Sequence, residues 1–175
     1  GIALTPVKFG ISFTATHFNQ AGALVHVYRD GSVLLNHGGT EMGQGLDTKV
    51  AQVVAEAFQL DLARVRITAT STAKVPNTSA TAASSGADLN GMAAEAACRA
   101  IKERLVDFAV DRYGAPREQI VFLPNRVRIG NREMPFAELI EAAYMARVSL
   151  SSTGFYKTPE IHWDRKSGRG RPFYY

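Results

Sequence analysis

Residues 23–58 read ALVHVYRDGSVLLNHGGTEMGQGLDTKVAQVVAEAF, and within them the hydrophobic period changes once. Ala23–Tyr28 and Ser32–Asn36 carry strand patterning, and Arg29-Asp30-Gly31 between them is a hairpin turn. His37-Gly38-Gly39 breaks the alternation. Leu46, Val50, Val53, Val54, Ala57 and Phe58 then recur at i, i+4, i+7, i+8, i+11 and i+12, one face of an amphipathic helix. The stretch therefore predicts a hairpin, a glycine-rich loop and a helix whose N-terminus faces that loop.

Upstream, Phe9, Ile11 and Phe13 alternate with Lys8, Gly10, Ser12 and Thr14, which predicts a half-buried strand over Lys8–Thr16. Asn19-Gln20-Ala21-Gly22 is a turn signal, so the chain is expected to open with a three-stranded antiparallel meander. Downstream, Val65–Ala69 alternates as a strand, and Thr70–Ser85 is almost entirely small or polar. A stretch that long without secondary structure is uncommon in a compact domain unless it binds something. Asp88–Arg112 is an alanine-rich helix ended by Tyr113-Gly114, since glycine tolerates a left-handed cap. Ile120–Leu123 and Arg126–Ile129 pair across Pro124-Asn125, Phe136–Arg147 is a third helix, and Ser149–Tyr156 is strand-like. Strands in groups separated by helices predict an α+β fold: antiparallel sheet layers, about three helices, and two loops opening onto helix N-termini. Residues 1–175 are read as a single domain.

Composition narrows the function classes. Hydrophobic residues make up 46% and charged residues 21%, which permits a buried core and argues against disorder. The net charge is +4, but Arg165, Lys166, Arg169 and Arg171 crowd into one run that reads as a solvated loop, not a nucleic-acid surface. Cys98 is the sole cysteine, which excludes an internal disulfide and a thiolate-bound iron–sulfur cluster within the chain. No apolar run approaches the ~20 residues of a membrane span, and Gly1–Pro6 has no secretory pattern. With a single cysteine, a cytoplasmic setting is expected. Gly1 in place of methionine, and the aromatic Phe173-Tyr174-Tyr175 end, predict a piece of a longer polypeptide.

Two segments carry candidate chemistry. Gly38-Gly39-Thr40-Glu41-Met42-Gly43-Gln44-Gly45 leads into a helix, and its glycines would let backbone N–H groups approach an anion closely. The spacing is neither G-x-G-x-x-G nor a P-loop. A structural turn capping the helix explains it equally well, and Glu41 is favoured as a support that accepts loop N–H bonds over a general base. Thr78-Ser79-Ala80-Thr81-Ala82-Ala83-Ser84-Ser85-Gly86 also precedes a helix. Its small residues would let a bulky ligand lie against the backbone, with Thr81, Ser84 and Ser85 hydroxyls on polar edges. The competing reading is an ordinary N-cap by Ser84 or Ser85. His17, His26, His37 and His162 lack metal-ligand spacing, and Cys98, among alanines, reads as an inert buried thiol.

Three segments carry a family resemblance. Gly10-Ile11-Ser12-Phe13-Thr14, Gly39-Thr40-Glu41-Met42-Gly43-Gln44-Gly45 and Thr81-Ala82-Ala83-Ser84 resemble the molybdopterin-binding subunit of xanthine dehydrogenases and aldehyde oxidases. Val75-Pro76-Asn77 and Ser151-Ser152-Thr153-Gly154-Phe155-Tyr156 fit the same pattern, nearly the whole chain is covered, and the sequence looks closest to a bacterial xanthine dehydrogenase large subunit. The resemblance implies a molybdenum-molybdopterin cofactor contacted by Met42, Gly43 and Gln44 from one loop. From the other loop Thr81, Ala82, Ala83 and Ser84 would contribute. Ala83 would lie against the molybdenum, and Gly86, where some relatives carry a hydroxyl, would offer its backbone. Phe13 and Thr14 would meet a purine substrate, xanthine or hypoxanthine, oxidised to urate by the intact enzyme. The family's catalytic glutamate belongs to a Gly-Glu-Pro-Pro motif that does not occur here, so no catalytic residue is assigned and the piece alone is expected to be inactive. FAD and 2Fe-2S clusters would sit on other domains or on an FAD/iron–sulfur subunit. The remaining domains of the large subunit would be partners, with no nucleic acid or membrane. Two other readings stand beside this one: a self-contained phosphate- or nucleotide-binding domain, and an interaction module docking through Arg165–Arg171.

Overall fold

The computed structural model describes residues 1–7 and 10–171. The hairpin forms as β1 (Gln20–Val27) and β2 (Val33–His37), antiparallel, with Val25 opposite Leu35. Inward residues Ala21, Ala23, Val25, Val27, Val33 and Leu35 are all buried. β2 leads through the glycine loop into α1 (Leu46–Phe58), which buries Leu46, Val50, Val54 and Phe58, the face set by the helical period. β3 (Val65–Ile67) runs parallel to β2. The 28-residue α2 (Gly86–Tyr113) ends at Gly114, whose φ of 71° supplies the left-handed cap.

The expected opening strand does not form. Lys8 and Phe9 lie outside the described residues, and residues 10–15 hold no strand before a 3-10 turn at Thr16–Phe18. The cause is Asn19, whose side chain accepts the Phe13 N–H at 2.8 Å and donates to the Phe13 carbonyl at 2.7 Å. A residue whose main-chain groups are both taken by a side chain cannot ladder with a neighbouring strand. The expected turn at Asn19–Gly22 is also corrected, because β1 already starts at Gln20. A Cβ on Gly22 would sit 2.5 Å from the Pro76 carbonyl oxygen, so this glycine serves a close backbone approach within a strand.

The place beside β1 is taken by β7 (Ser151–Lys157), antiparallel, which makes a four-stranded sheet of order β3-β2-β1-β7 in place of a three-stranded meander. α2 lies directly on β7: a Cβ on Gly154 would come within 2.0 Å of the Ala93 carbonyl oxygen. That contact explains why the buried face of α2 is alanine at Ala93, Ala94 and Ala97 before it widens to Ile101 and Leu105.

A second layer follows as β4 (Ile120–Leu123), β5 (Arg126–Ile129) and β6 (Arg132–Pro135), packed with α3 (Phe136–Met145). Phe58, Phe122 and Phe136 join the two layers, with Phe136 ring centroids 5.8 Å from Phe58 and 6.3 Å from Phe122. One continuous core results, and the architecture is α+β. The basic run is not wholly loop: β8 (His162–Asp164) and β9 (Arg169–Arg171) form an exposed hairpin, with Arg165 and Lys166 in its turn. No helix among the described residues is long and apolar enough to cross a membrane.

Candidate functional site

The pairing pattern gathers the informative segments at one end of the four-stranded sheet. Ala23 lies opposite His37, Gln20 opposite Lys157, and Ile67 beside Leu35. The segment entering β1, the loop leaving β2 and the loop leaving β3 therefore emerge together. Gly38 and Gly39 are buried there and let the loops pack. A Cβ on Gly38 would lie 2.0 Å from Thr78 Oγ1, and one on Gly39 2.5 Å from Leu46 Cδ2. Gly43 (φ 94°) and Gly45 (φ 75°) face open space and serve the backbone turn instead.

The first loop organises itself. The Glu41 carboxylate accepts N–H bonds from Gly43 at 2.8 Å and from Gly45 and Asp47 at 3.0 Å. Glu41 thus occupies the α1 N-terminus, and these bonds, the one from Asp47 foremost, hold its pKa below the ordinary value. The support role expected for Glu41 holds. Those N–H groups are consequently engaged by the chain's own carboxylate, which removes the basis of a phosphate- or nucleotide-binding loop. Gln44 is likewise braced: its amide oxygen accepts from Met42 N–H at 2.6 Å and its amide nitrogen donates to the Thr40 carbonyl at 2.8 Å.

Thr40 N–H bonds Thr81 Oγ1 across the loops at 2.9 Å, and Thr70, in the same connection leaving β3, donates its hydroxyl to the Gly39 carbonyl at 2.9 Å. Below these bonds opens a cleft of about 340 Å³ lined by Met42, Gln44, Leu46, Lys49, Thr81, Ala82, Ser84, Gly86 and Ala87. Six of the residues singled out from the sequence meet there: Met42, Gln44, Thr81, Ala82, Ser84 and Gly86. Gly43 and Ala83 belong to the same loops without lining the cleft. Phe13 is half-buried against Phe18, ring centroids 5.4 Å apart, and Thr14 is exposed; both lie at the same sheet end but outside the cleft. A larger apolar hollow of about 730 Å³ opens at the opposite end, near Tyr28, Arg29 and Tyr144, away from every segment with candidate chemistry.

The second loop is not the ordinary N-cap. Ser85 occupies the cap position of α2, yet its hydroxyl donates to the Ala82 carbonyl at 2.9 Å, and no side chain caps the helix. Ala83 and Ser84 stand consecutively at φ 52° and 53°. Left-handed geometry costs on the order of 1–2 kcal/mol for a residue with a Cβ, and such strain concentrates at ligand sites. The Ser84 hydroxyl has no protein partner among the described residues, and Ser79 Oγ and Asp88 Oδ2 are buried without one. Burial pushes the Asp88 carboxyl up. The cleft fits a group that presents hydrogen-bonding edges, because its hydroxyl and uncapped helix start have unused capacity. No group of three or more metal-ligating side chains occurs among the described residues.

Three participants escaped the sequence reading. Lys49 lines the cleft and donates to the Gln44 carbonyl at 3.0 Å; its position one turn into α1 was the available signal. Asn90 donates to the Gly86 carbonyl at 2.8 Å beneath the second loop. His37, 2% exposed, accepts the Gly39 N–H at Nδ1, 3.1 Å away. Its Nε2 lies 3.2 Å from Asp47 Oδ1, of ion-pair length but not aligned as a hydrogen bond. Burial lowers the His37 pKa, against the pull of Asp47.

A glycine–glutamine loop and a small-residue loop are thus bonded across one cleft, and comparison with known proteins gives the family. The chain belongs to the molybdopterin cofactor-binding domain family, whose profile matches residues 1–175. It is 50% identical to a xanthine dehydrogenase of Oryza sativa subsp. japonica over 175 residues, all of this chain and 11% of that protein. It is 53% identical to a xanthine dehydrogenase of Blastobotrys adeninivorans over 161 residues, 92% of this chain and 10% of that protein. Among solved structures, quinoline 2-oxidoreductase from Pseudomonas putida 86 matches with a TM-score of 0.70 and 28% identity, over 80% of this chain and 19% of that one. The chain spans about a tenth of the length of the curated relatives it matches.

Proposed function

We propose that this chain is one wall of the molybdenum-molybdopterin site of a xanthine dehydrogenase. Residues 38–45 and 78–86 hold the cofactor from two sides. The observation that carries this reading is the Thr40–Thr81 bond, which ties the two loops together over the cleft. In it Met42 and Gln44, with Gly43 between them in the chain turning the backbone, contact the cofactor from the first loop. Thr81, Ala82, Ser84 and the Gly86 backbone contact it from the second, and Ala83 packs beside the molybdenum. Phe13 and Thr14 face the purine.

The cofactor supplies the redox chemistry when bound, and this chain's residues bind and orient it. The intact, cytoplasmic enzyme oxidises hypoxanthine and xanthine to urate, with FAD and 2Fe-2S centres on other domains or subunits and its catalytic base outside these residues. Glu41 is committed to its own loop and supplies no base.

Molybdenum content of the full-length protein tests the reading. Gln44→Ala combined with Ser84→Ala removes one polar group from each loop, worth ~1–3 kcal/mol apiece when a buried partner is left unpaired. The double variant should retain at least tenfold less molybdenum per chain, with any fall in melting temperature limited to the loss of the two loop bonds Gln44 makes with Met42 and Thr40. Undiminished molybdenum would refute it.

A further inference from the structure

We propose that His37 is the positioning residue of the first loop: its imidazole fixes the Gly39 peptide, and through it the path of residues 40–45 along the cleft, without touching the ligand. The proposal rests on the reading of that cleft as the cofactor site. Gly39 is gripped on every side that matters. Its N–H goes to His37 Nδ1 at 3.1 Å, and its carbonyl accepts the Thr70 hydroxyl at 2.9 Å. Leu46 and Asn90 leave no room for a side chain, since a Cβ there would lie 2.5 Å from Leu46 Cδ2 and 2.8 Å from Asn90 Nδ2. The next residue makes the Thr40–Thr81 bond, so the position of Gly39 decides whether the two loops meet.

The chemistry of the ring settles which histidine form does this. A nitrogen that accepts an N–H carries a lone pair, so Nδ1 is unprotonated and the single proton sits on Nε2. Nε2–H then faces Asp47 Oδ1, in the first turn of α1. One flat, fully buried ring thereby bonds the loop from the end of β2 and stands 3.2 Å from a carboxylate at the helix start. Few other side chains present an acceptor and a donor at opposite edges with so little freedom. A lysine or arginine offers no acceptor, and a carboxylate no donor.

Asparagine and glutamine separate the two edges of the ring. In the full-length protein, His37→Asn places Oδ1 where Nδ1 lies and keeps the acceptor for Gly39. His37→Gln keeps a donor toward Asp47 and removes that acceptor. Two quantities are read: hydrogen exchange of peptides covering 38–45 and molybdenum per chain, with global melting as control. H37N should hold near wild-type molybdenum and exchange at 38–41 no more than the few-fold faster that loss of the Asp47 contact allows. H37Q should exchange at 38–45 up to about tenfold faster, the loss of one hydrogen bond, and hold several-fold less molybdenum.

Equal behaviour of the two variants, or unchanged exchange in H37Q, overturns the proposal. Faster exchange with undiminished molybdenum upholds His37 as the loop's anchor and overturns the cofactor reading instead. Should H37Q fail to accumulate, Asp47→Ala, at a side chain 45% exposed, removes the other end of the bracket. It should speed exchange at 38–41 a few-fold, and no change there overturns the proposal.

Discussion

Glu41 accepts the backbone N–H of Asp47 at 3.0 Å, so the acid that begins the glycine loop also caps the helix that ends it. With Gly43 and Gly45 on the same carboxylate, the loop holds its shape without a ligand. Glu41→Ala should therefore lower the melting temperature and raise exchange selectively at 43, 45 and 47. Glu41→Gln, which keeps one acceptor oxygen, should fall between Ala and wild type. Site-resolved exchange checks this, and uniform change along the chain would contradict it.

The glycines should rank by what surrounds them. Gly43→Ala meets open space but holds φ at 94°, costing about 1–2 kcal/mol. Gly39→Ala drives a methyl into Leu46 and Asn90, an overpacking cost of ~1–3 kcal/mol. Gly154→Ala collides with the Ala93 carbonyl and the Ala97 N, which are backbone and cannot rotate away, so it should be the most damaging. Denaturant midpoints of the three variants give the order directly.

Two pH windows follow from the loop's own ionisable groups. His37 has its pKa lowered from 6.5 by burial, so below 6.5 the unfolded chain binds a proton that the folded one refuses. Stability contributed by the neutral ring is complete above 6.5 and is lost as pH falls through the lower folded value. Glu41, lowered from 4.5 by backbone N–H bonds led by that of Asp47, adds a second loss below 4.5. Asp88, raised from 3.8 by burial, acts in the opposite sense. Melting curves against pH for H37N and E41Q, each compared with wild type, should flatten the upper and the lower window respectively. A wild-type slope retained in both would contradict the assignment.

Cys98 is fully buried on α2, and burial pushes its thiol up to about 12. It should resist thiol reagents at pH 8 in the folded protein and react at the rate of unfolding. Rapid labelling under native conditions would show that α2 does not stay packed on β7.

Local periodicity made much of this fold legible. Leu46–Phe58, the Ile120–Leu123/Arg126–Ile129 pair and the Gly114 cap all follow from patterns within a few residues, and they appear where expected. The misses have non-local causes. Asn19–Gly22 reads as a turn until Pro76 presses against Gly22, and Lys8–Thr16 reads as a strand until Asn19 captures Phe13. β6 buries only Met134 and ends at Pro135, too little for an alternation to register. The β8–β9 hairpin hides in a run whose charge dominates its composition. At the site, the two loops were visible as compositional anomalies. Their junction through Thr40 and Thr81 depends on residues 41 apart, and His37 carries no local mark of its role.

Ala83 and the loops on either side of the cleft are proposed to surround a molybdenum centre. Crystals of the full-length protein, measured above and below the molybdenum absorption edge, test it most directly. One edge-dependent anomalous peak per chain is expected at van der Waals distance from Ala83, beside the cleft that Gln44 and Ser84 line. A peak remote from both loops, with the Thr40–Thr81 bond intact, would contradict it.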